Sequence, residues 1–308
     1  MSRVVIATAG YEQEIQLWEA KKEKPIRSMK FDASQVNCLA LSMDKLKLAA
    51  GGNQVVRLYE TSTNNTKPIA EFKGHKSNVT SVGFRKDGRW LFSASEDGSI
   101  KIWDHRTANA QLQYQGKAAI NCAVLHPNQA QIFAADQAGN VIVWDLIADK
   151  CIAQCRPVAD DVSMRSVSIS PNGSLLAACN TTGHCFLWKM DSPQTCTRLG
   201  EFTVKRLHET YILKCVISPD GKTLATASAD RTVKIWSLPE LTLDRVLGDH
   251  KKWVHDICFC ADSTFLLSAS SDGKARLWDL ATGHKIKQYD GRHQKAIVAV
   301  ALNDSDMD

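Results

Sequence analysis

A chain of 308 residues with 38 Lys and Arg against 33 Asp and Glu is only mildly basic, and its lysines are scattered, which argues against a nucleic-acid footprint. No apolar stretch approaches the roughly 18 residues of a membrane span, and Met1-Ser2-Arg3 runs straight into a strand-like segment rather than a signal peptide, so a cytoplasmic chain with no membrane insertion is expected. Ten cysteines without a C-x-x-C pair read as buried thiols of a reducing compartment rather than as disulfides or a zinc site.

Taken in chain order, Val4 to Ala9 reads as a strand, and a second alternating run closes at Trp18. Similar runs close at Tyr59, Trp103, Trp144, Trp188, Trp236 and Trp278, at spacings of 41, 44, 41, 44, 48 and 42. The run Ser-Ile-Lys-Ile-Trp at 99 to 103 is typical and suggests a strand with one buried face. A second ladder interleaves with the first. Val36, Val79, Ile120, Met164, Ile212, Val254 and Ile297 each open an apolar strand, ending at Leu41, Phe84, Leu125, Ile169, Ile217, Phe259 and Leu302. Three units also share a polar spacing, in which a His is followed 22 residues later by an Asp and six later by a Trp: His75/Asp97/Trp103, His208/Asp230/Trp236 and His250/Asp272/Trp278.

A period of 40-odd residues with these letters is the signature of a WD-repeat propeller. Seven rungs predict an all-β, seven-bladed β-propeller occupying residues 1–308 as one domain. Trp18 has no first-strand segment before it, and Ile297 to Leu302 has no repeat after it. Pairing the C-terminal strand with the N-terminal three would complete one blade and leave neither edge open. His293 precedes Ile297 by four residues, as His75 precedes Val79, which supports that closure.

Ser, His and Asp together could suggest acyl transfer. Their recurrence in three units, each locked to a Trp, instead suggests a structural chain, since an enzyme needs one site and not three. In propellers of this kind the turn Asp bonds the His, the His bonds a hydroxyl on the second strand, and that hydroxyl bonds the Trp indole. The hydroxyl is Ser93 or Ser95, Thr226 or Ser228, and Ser268 or Ser270. No enzyme, cofactor, metal or small-molecule substrate is expected. Function then falls to loops on one face, where Tyr11, Gln35, Asn37, Asn53, Asn78, Asn121, Tyr211, Trp253 and His255 should lie around a rim without strand-pairing duties. Trp253 there is either a cap over its own blade or a partner anchor, and His250-Lys251-Lys252-Trp253 fits a protein hot spot better than a nucleic-acid contact. Ile102-Trp103-Asp104-His105-Arg106 matches the W-D-x-R box of some cullin-ligase propellers, although Trp-Asp ends many such repeats. Asp304 to Asp308 reads as a solvated acidic tail.

Short segments carry a closer likeness, most specifically loop motifs such as His126-Pro127-Asn128-Gln129-Ala130, which the propeller fold does not require. Ala7-Thr8-Ala9-Gly10-Tyr11, Ser34-Gln35-Val36-Asn37, Val82-Gly83-Phe84, Asp87-Gly88-Arg89-Trp90, Ile120-Asn121-Cys122, His126-Pro127-Asn128-Gln129-Ala130, Ala275-Arg276-Leu277-Trp278 and His293-Gln294-Lys295-Ala296 resemble the G-protein-beta-like subunit of the target-of-rapamycin (TOR) kinase complexes, across essentially all seven repeats. The resemblance implies a non-catalytic scaffold that sits on an insertion in the C-terminal lobe of the kinase catalytic domain, alongside other TOR complex subunits, and stabilises the kinase. It implies a contact surface that includes Gln35, Asn37 and Trp253. The alternative expectation is a substrate receptor of a cullin ubiquitin ligase acting through Asp104 and Arg106.

Overall fold

Residues 5–20, 22, 24–32, 34–158, 162–190, 199–290 and 293–303 are described by the structure, a computed structural model. The stretches read above as the N-terminal start (Met1 to Val4) and the acidic tail (Asp304 to Asp308) lie outside the described residues. Every strand or helix among the described residues is a β-strand. All pairings are antiparallel, with five four-stranded sheets and one seven-stranded sheet. The seven-stranded sheet arises because the 15-residue strand Ala70–Phe84 serves two blades. Its first part pairs as an outer strand, Leu58↔Ala70 to Val55↔Lys73, and its second as an inner strand, Val79↔Ser95 to Phe84↔Leu91. Divided there, the described strands form seven groups of four.

The inner strands close a ring. Each is a neighbour of the next, in the order Ile297–Asn303, Cys38–Leu41, the second half of Ala70–Phe84, Ile120–Leu125, Met164–Ile169, Ile212–Ile217, Val254–Phe259 and back to Ile297–Asn303. The group of Val5–Gly10, Glu14–Glu19 and Pro25–Lys30, called blade one, takes Ile297–Asn303 as its inner strand, in the register Ile6↔Leu302, Ala7↔Ala301 and Thr8↔Val300. A bulge follows Ala9, and the Tyr11 N–H donates to the Ala296 carbonyl at 3.2 Å. A Cβ on Gly10 would collide with that carbonyl, so the junction accepts only glycine without moving.

Burial corrects one expectation. The second and third strands are covered on both faces: Trp90–Ser95 and Ser99–Asp104 are buried along nearly their whole lengths, Lys101 included. Blades stack face to face, so a middle strand touches a neighbour on either side, and the alternation Ile-Lys-Ile sorts residues between two interfaces rather than between core and water. Lys101 hides its stem beside Trp103, with its ammonium 6.0 Å from that ring and its Nζ donating to Gln113 Oε1. Between blades three and four, Phe92, Ile102, Ile120, Ile132 and Trp144 form one such wedge of core. Outer strands are the exposed ones, most of all Phe202–Arg206.

Candidate interaction face and its supporting hydrogen-bond chains

In blade three, Asp97 Oδ2 lies 3.1 Å from His75 Nδ1, His75 Nε2 lies 2.6 Å from Ser93 Oγ, and the Trp103 indole N–H donates to Ser93 Oγ at 2.7 Å. Blade six repeats this with Asp230, His208, Thr226 and Trp236 at 2.6, 2.7 and 2.9 Å. Blade seven does so with Asp272, His250, Ser268 and Trp278 at 3.1, 2.7 and 2.9 Å. The hydroxyl left open by the sequence is therefore the earlier of each pair. Ser95, Ser228 and Ser270 instead accept the backbone N–H of Asp97, Asp230 and Asp272 and shape the turn. One arrangement of protons satisfies the chains of blades three and six: a neutral imidazole donates from Nδ1 to the carboxylate and accepts at Nε2 from the hydroxyl, whose oxygen accepts from the indole; in blade seven Arg276 Nη1 also donates to Asp272 Oδ2 at 2.8 Å and meets His250 Nδ1.

The electrostatics agree with that arrangement. Burial works to raise the Asp97 carboxyl, but hydrogen bonds from Ser99 and the Lys76 N–H, with His75 beside them, hold it at about 2. Asp230 sits at about 2 for like reasons, with His208 and Thr232 as donors opposing burial. Burial depresses His75 and His250, which keeps both neutral. Ser93, Thr226 and Ser268 are wholly buried, so no hydroxyl of these chains is offered to a substrate.

A fourth chain, which the letter pattern concealed, joins the two ends of the protein. Trp18 donates to Thr8 Oγ1 at 2.8 Å, Thr8 Oγ1 lies 2.8 Å from His293 Nε2, and His293 Nδ1 meets Glu12. The other Glu12 oxygen accepts the backbone N–H groups of Gln294 and Lys295. The signal was present as an offset: the acid stands four residues after the hydroxyl in Thr8/Glu12, Ser93/Asp97, Thr226/Asp230 and Ser268/Asp272. Blades two, four and five have Ala49, Ala134 and Ala178 at the hydroxyl position, with Asn53, Ala138 and Thr182 where the turn acid would be. In blade two the aromatic is Tyr59, whose hydroxyl donates to the Lys30 carbonyl at 3.1 Å, whereas the Trp188 indole N–H is buried without a partner.

Where the blades meet the axis, Tyr11, Gln35, Asn37, Asn78, Asn121, Trp253 and His255 line one cavity of about 670 Å³. Tyr211 joins Asn121 and Trp253 around an adjoining hollow of about 800 Å³. Eight predicted rim residues are thus brought together, while Asn53 is exposed and lines neither hollow. Trp253 and Tyr211 are each 49% exposed, with ring centroids 6.5 Å apart, and the His255 ring lies 6.4 Å from Trp253. Half-exposure of a Trp edged by a Tyr leaves a large apolar surface unused by the fold. His255 plays a different part: its Nε2 lies 2.6 Å from Ser271 Oγ, and burial, aided by the charge of Arg165, pushes it down to about 4. It is a neutral support beneath Trp253.

The amides are less idle than expected. Asn121 Nδ2 donates to the Met164 carbonyl at 2.7 Å and to Ser163 Oγ at 2.9 Å, which ties blade four to blade five. Asn78 Nδ2 donates to Glu96 Oε2 at 2.9 Å, orienting that carboxylate over the hollow. Asn37 Nδ2 is buried without a partner. Sequence reasoning missed Glu96 and Arg165 on this face, and the ion pair in the cavity wall between Lys214 Nζ and Asp256 Oδ1 at 3.7 Å. Burial alone would lower the Lys214 ammonium, yet the Asp256 carboxylate and nearby thiols hold it above its ordinary value. Asp256 Oδ2 also accepts the Val300 N–H at 3.0 Å and so ties blade seven to the closing strand. Asp104, of the W-D-x-R match, caps its own turn by accepting the Arg106 N–H at 2.8 Å. No disulfide joins the described cysteines, and no group of acidic, His and Cys side chains among the described residues is placed to hold a metal ion. No helix among them is long and apolar enough to cross a membrane.

Ring closure, four-stranded blades and the buried His-hydroxyl-Trp chains define a β-propeller of the WD-repeat class. The repeat family described as WD domain, G-beta repeat matches residues 66–104, 150–189, 201–237 and 241–279. Over its length the chain is 44% identical across 303 residues to the target of rapamycin complex subunit wat1 of Schizosaccharomyces pombe, covering 98% of this chain and 96% of the relative. It is 44% identical across 302 residues to the target of rapamycin complex subunit LST8 of Saccharomyces cerevisiae, covering 98% and 99%, and 40% identical across 314 residues to LST8 of Bos taurus, covering 98% and 95%. The chain belongs to this LST8 family of WD-repeat proteins.

Proposed function

We propose that this protein is a non-catalytic subunit of TOR kinase complexes, which grips the C-terminal lobe of the kinase catalytic domain with the face around Trp253 and thereby stabilises the active kinase. The relatives' names supply the complex. The observation that carries the choice of face is the half-exposed Trp253, edged by Tyr211 and seated on the neutral His255, at the mouth that Tyr11, Gln35, Asn37, Asn78 and Asn121 also line. Rigid aromatic surface on a strand-anchored rim is what a protein partner can bury with little ordering cost. The single domain spanning the chain, its cytoplasmic location and its lack of chemistry of its own belong to the same reading.

Affinity purification of the tagged chain from its own cells, followed by mass spectrometry, tests it. TOR kinase should be recovered in near-stoichiometric amount, and Arg106→Ala should leave that recovery unchanged. Recovery of a cullin adaptor, lost in Arg106→Ala, with no TOR kinase would contradict the proposal.

A further inference from the structure

On its other side Trp253 borders a third hollow, of about 720 Å³, lined by Arg231, Lys251, Lys252 and Lys295 together with Ala229, Ser271, Gln294 and Ala296. No acidic residue lines it. Among the described residues none of these four cations closes an ion pair, although Lys251 lies near enough to Asp249 to lower that carboxyl. All four are exposed, and they come from the hairpin turn of blade six, the loop entering blade seven and the segment entering the closing strand. Across the rim the hollow of about 800 Å³ carries both signs, Arg165 and a Glu96 held by Asn78 and Ser77. The chain as a whole carries a net charge of only +5, so four unpaired cations around one hollow are a local concentration.

We infer that the Arg231/Lys251/Lys252/Lys295 hollow receives an acidic polypeptide segment of the partner, which lays an apolar side chain on Trp253 and its carboxylates among the four cations. The inference rests on the proposed role of the Trp253 face and deepens it by stating the chemistry of the segment bound there. Charge complementarity argues for carboxylates, since like or neutral groups would leave four cations crowded together once water is excluded. The hollow's size argues for a polypeptide. It holds a few side chains beside one Trp, whereas a lipid surface needs a broad flat patch and a nucleic acid a basic track following its backbone.

The test uses the full chain and a fluorescein-labelled decapeptide of Asp and Glu with one central Phe, read by anisotropy. Its comparators are the same peptide with Asn and Gln in place of the acids, phosphatidylserine vesicles and a short single-stranded RNA. The acidic peptide should bind at least about tenfold more tightly than its amide counterpart, and weaken about tenfold as salt rises from about 0.05 to 0.2 M. Lys252→Glu with Lys295→Glu should abolish that preference at an unchanged melting temperature, with the milder Lys252→Gln and Lys295→Gln pair as a check on folding. The charge-reversed chain should also lose kinase association. Equal binding of acidic and amide peptides, equal binding by the reversed chain, or a preference for vesicles or RNA overturns the inference. If Trp253→Ala loses the kinase and the reversed chain keeps it, the acidic segment is wrong while the proposed function stands. If Trp253→Ala also keeps it, the functional reading fails as well.

Discussion

A carboxylate at the head of each buried chain decides whether the imidazole below it has somewhere to send its proton. Asp230 and Asp272 hold His208 and His250 in that way, so replacing either by Ala leaves a buried Nδ1–H without its acceptor and should cost about 1 to 3 kcal/mol in chemical denaturation. Thr182 stands at the corresponding turn of a blade without the chain, and Thr182→Ala should cost well under half as much; equal losses at both kinds of site would refute the role given to the acids. Glu12 is the informative case. It is a Glu where three other blades have Asp, and its position was readable only as the fourth residue after a buried hydroxyl, not as a letter in the repeat. Its two oxygens serve His293 and two backbone N–H groups, so Glu12→Ala should destabilise at least as much as Asp230→Ala.

Acid should act on the same groups. Asp97 and Asp230 have folded values of about 2, below the ordinary 3.8, so their contribution is fully present above about pH 4 and disappears as pH falls through 2. His75, His250 and His293 are depressed by burial, so the unfolded chain takes up protons first, and stability already declines as pH drops below 6.5. Both effects have one sign. The melting temperature should fall steadily from pH 7 to pH 3, and a flat profile over that range would contradict the neutral-histidine arrangement.

At the level of strands, the ladder of apolar openers and closing aromatics was legible because each repeat must bury the same two faces against its neighbours, which leaves the same spacing in the letters. Less legible was which face each side chain takes. Lys101 looked like a solvent position in Ser-Ile-Lys-Ile-Trp, yet it lies in a strand covered on both sides. Asn121 looked like a loop amide available to a partner, yet its nitrogen is spent on Met164 and Ser163 of the next blade, a contact between residues more than 40 positions apart that no local pattern encodes. The cations around Trp253 were hidden for a similar reason: Arg231, Lys252 and Lys295 come from three loops and meet only when the ring closes. Closure itself predicts an outcome. Removing residues 292–308 strips blade one of its inner strand and takes away the acceptors and donors that Val5–Gly10, Tyr11 and Asp256 use. The truncated chain should be insoluble or melt at a much lower temperature, and melting like the full chain would disprove the closure.

For the whole molecule, the described strands divide into seven groups of four held by structural chains, and the proposed reading leaves the rim for binding. Trp253 separates the two readings its position allows. A cap over blade seven would lower the melting temperature when truncated, because burying an aromatic contributes to the fold wherever it is covered. A partner anchor would spare the fold and weaken the complex by about 2 kcal/mol or more. The most direct measurement is therefore kinase association of a chain carrying Trp253→Ala and Gln35→Glu, with its fold verified by circular dichroism and its melting temperature recorded beside it. The account predicts an unchanged melt and a loss of kinase association of about thirtyfold or more, the equivalent of about 2 kcal/mol; full association by a properly folded double variant would show that the kinase is held by another face.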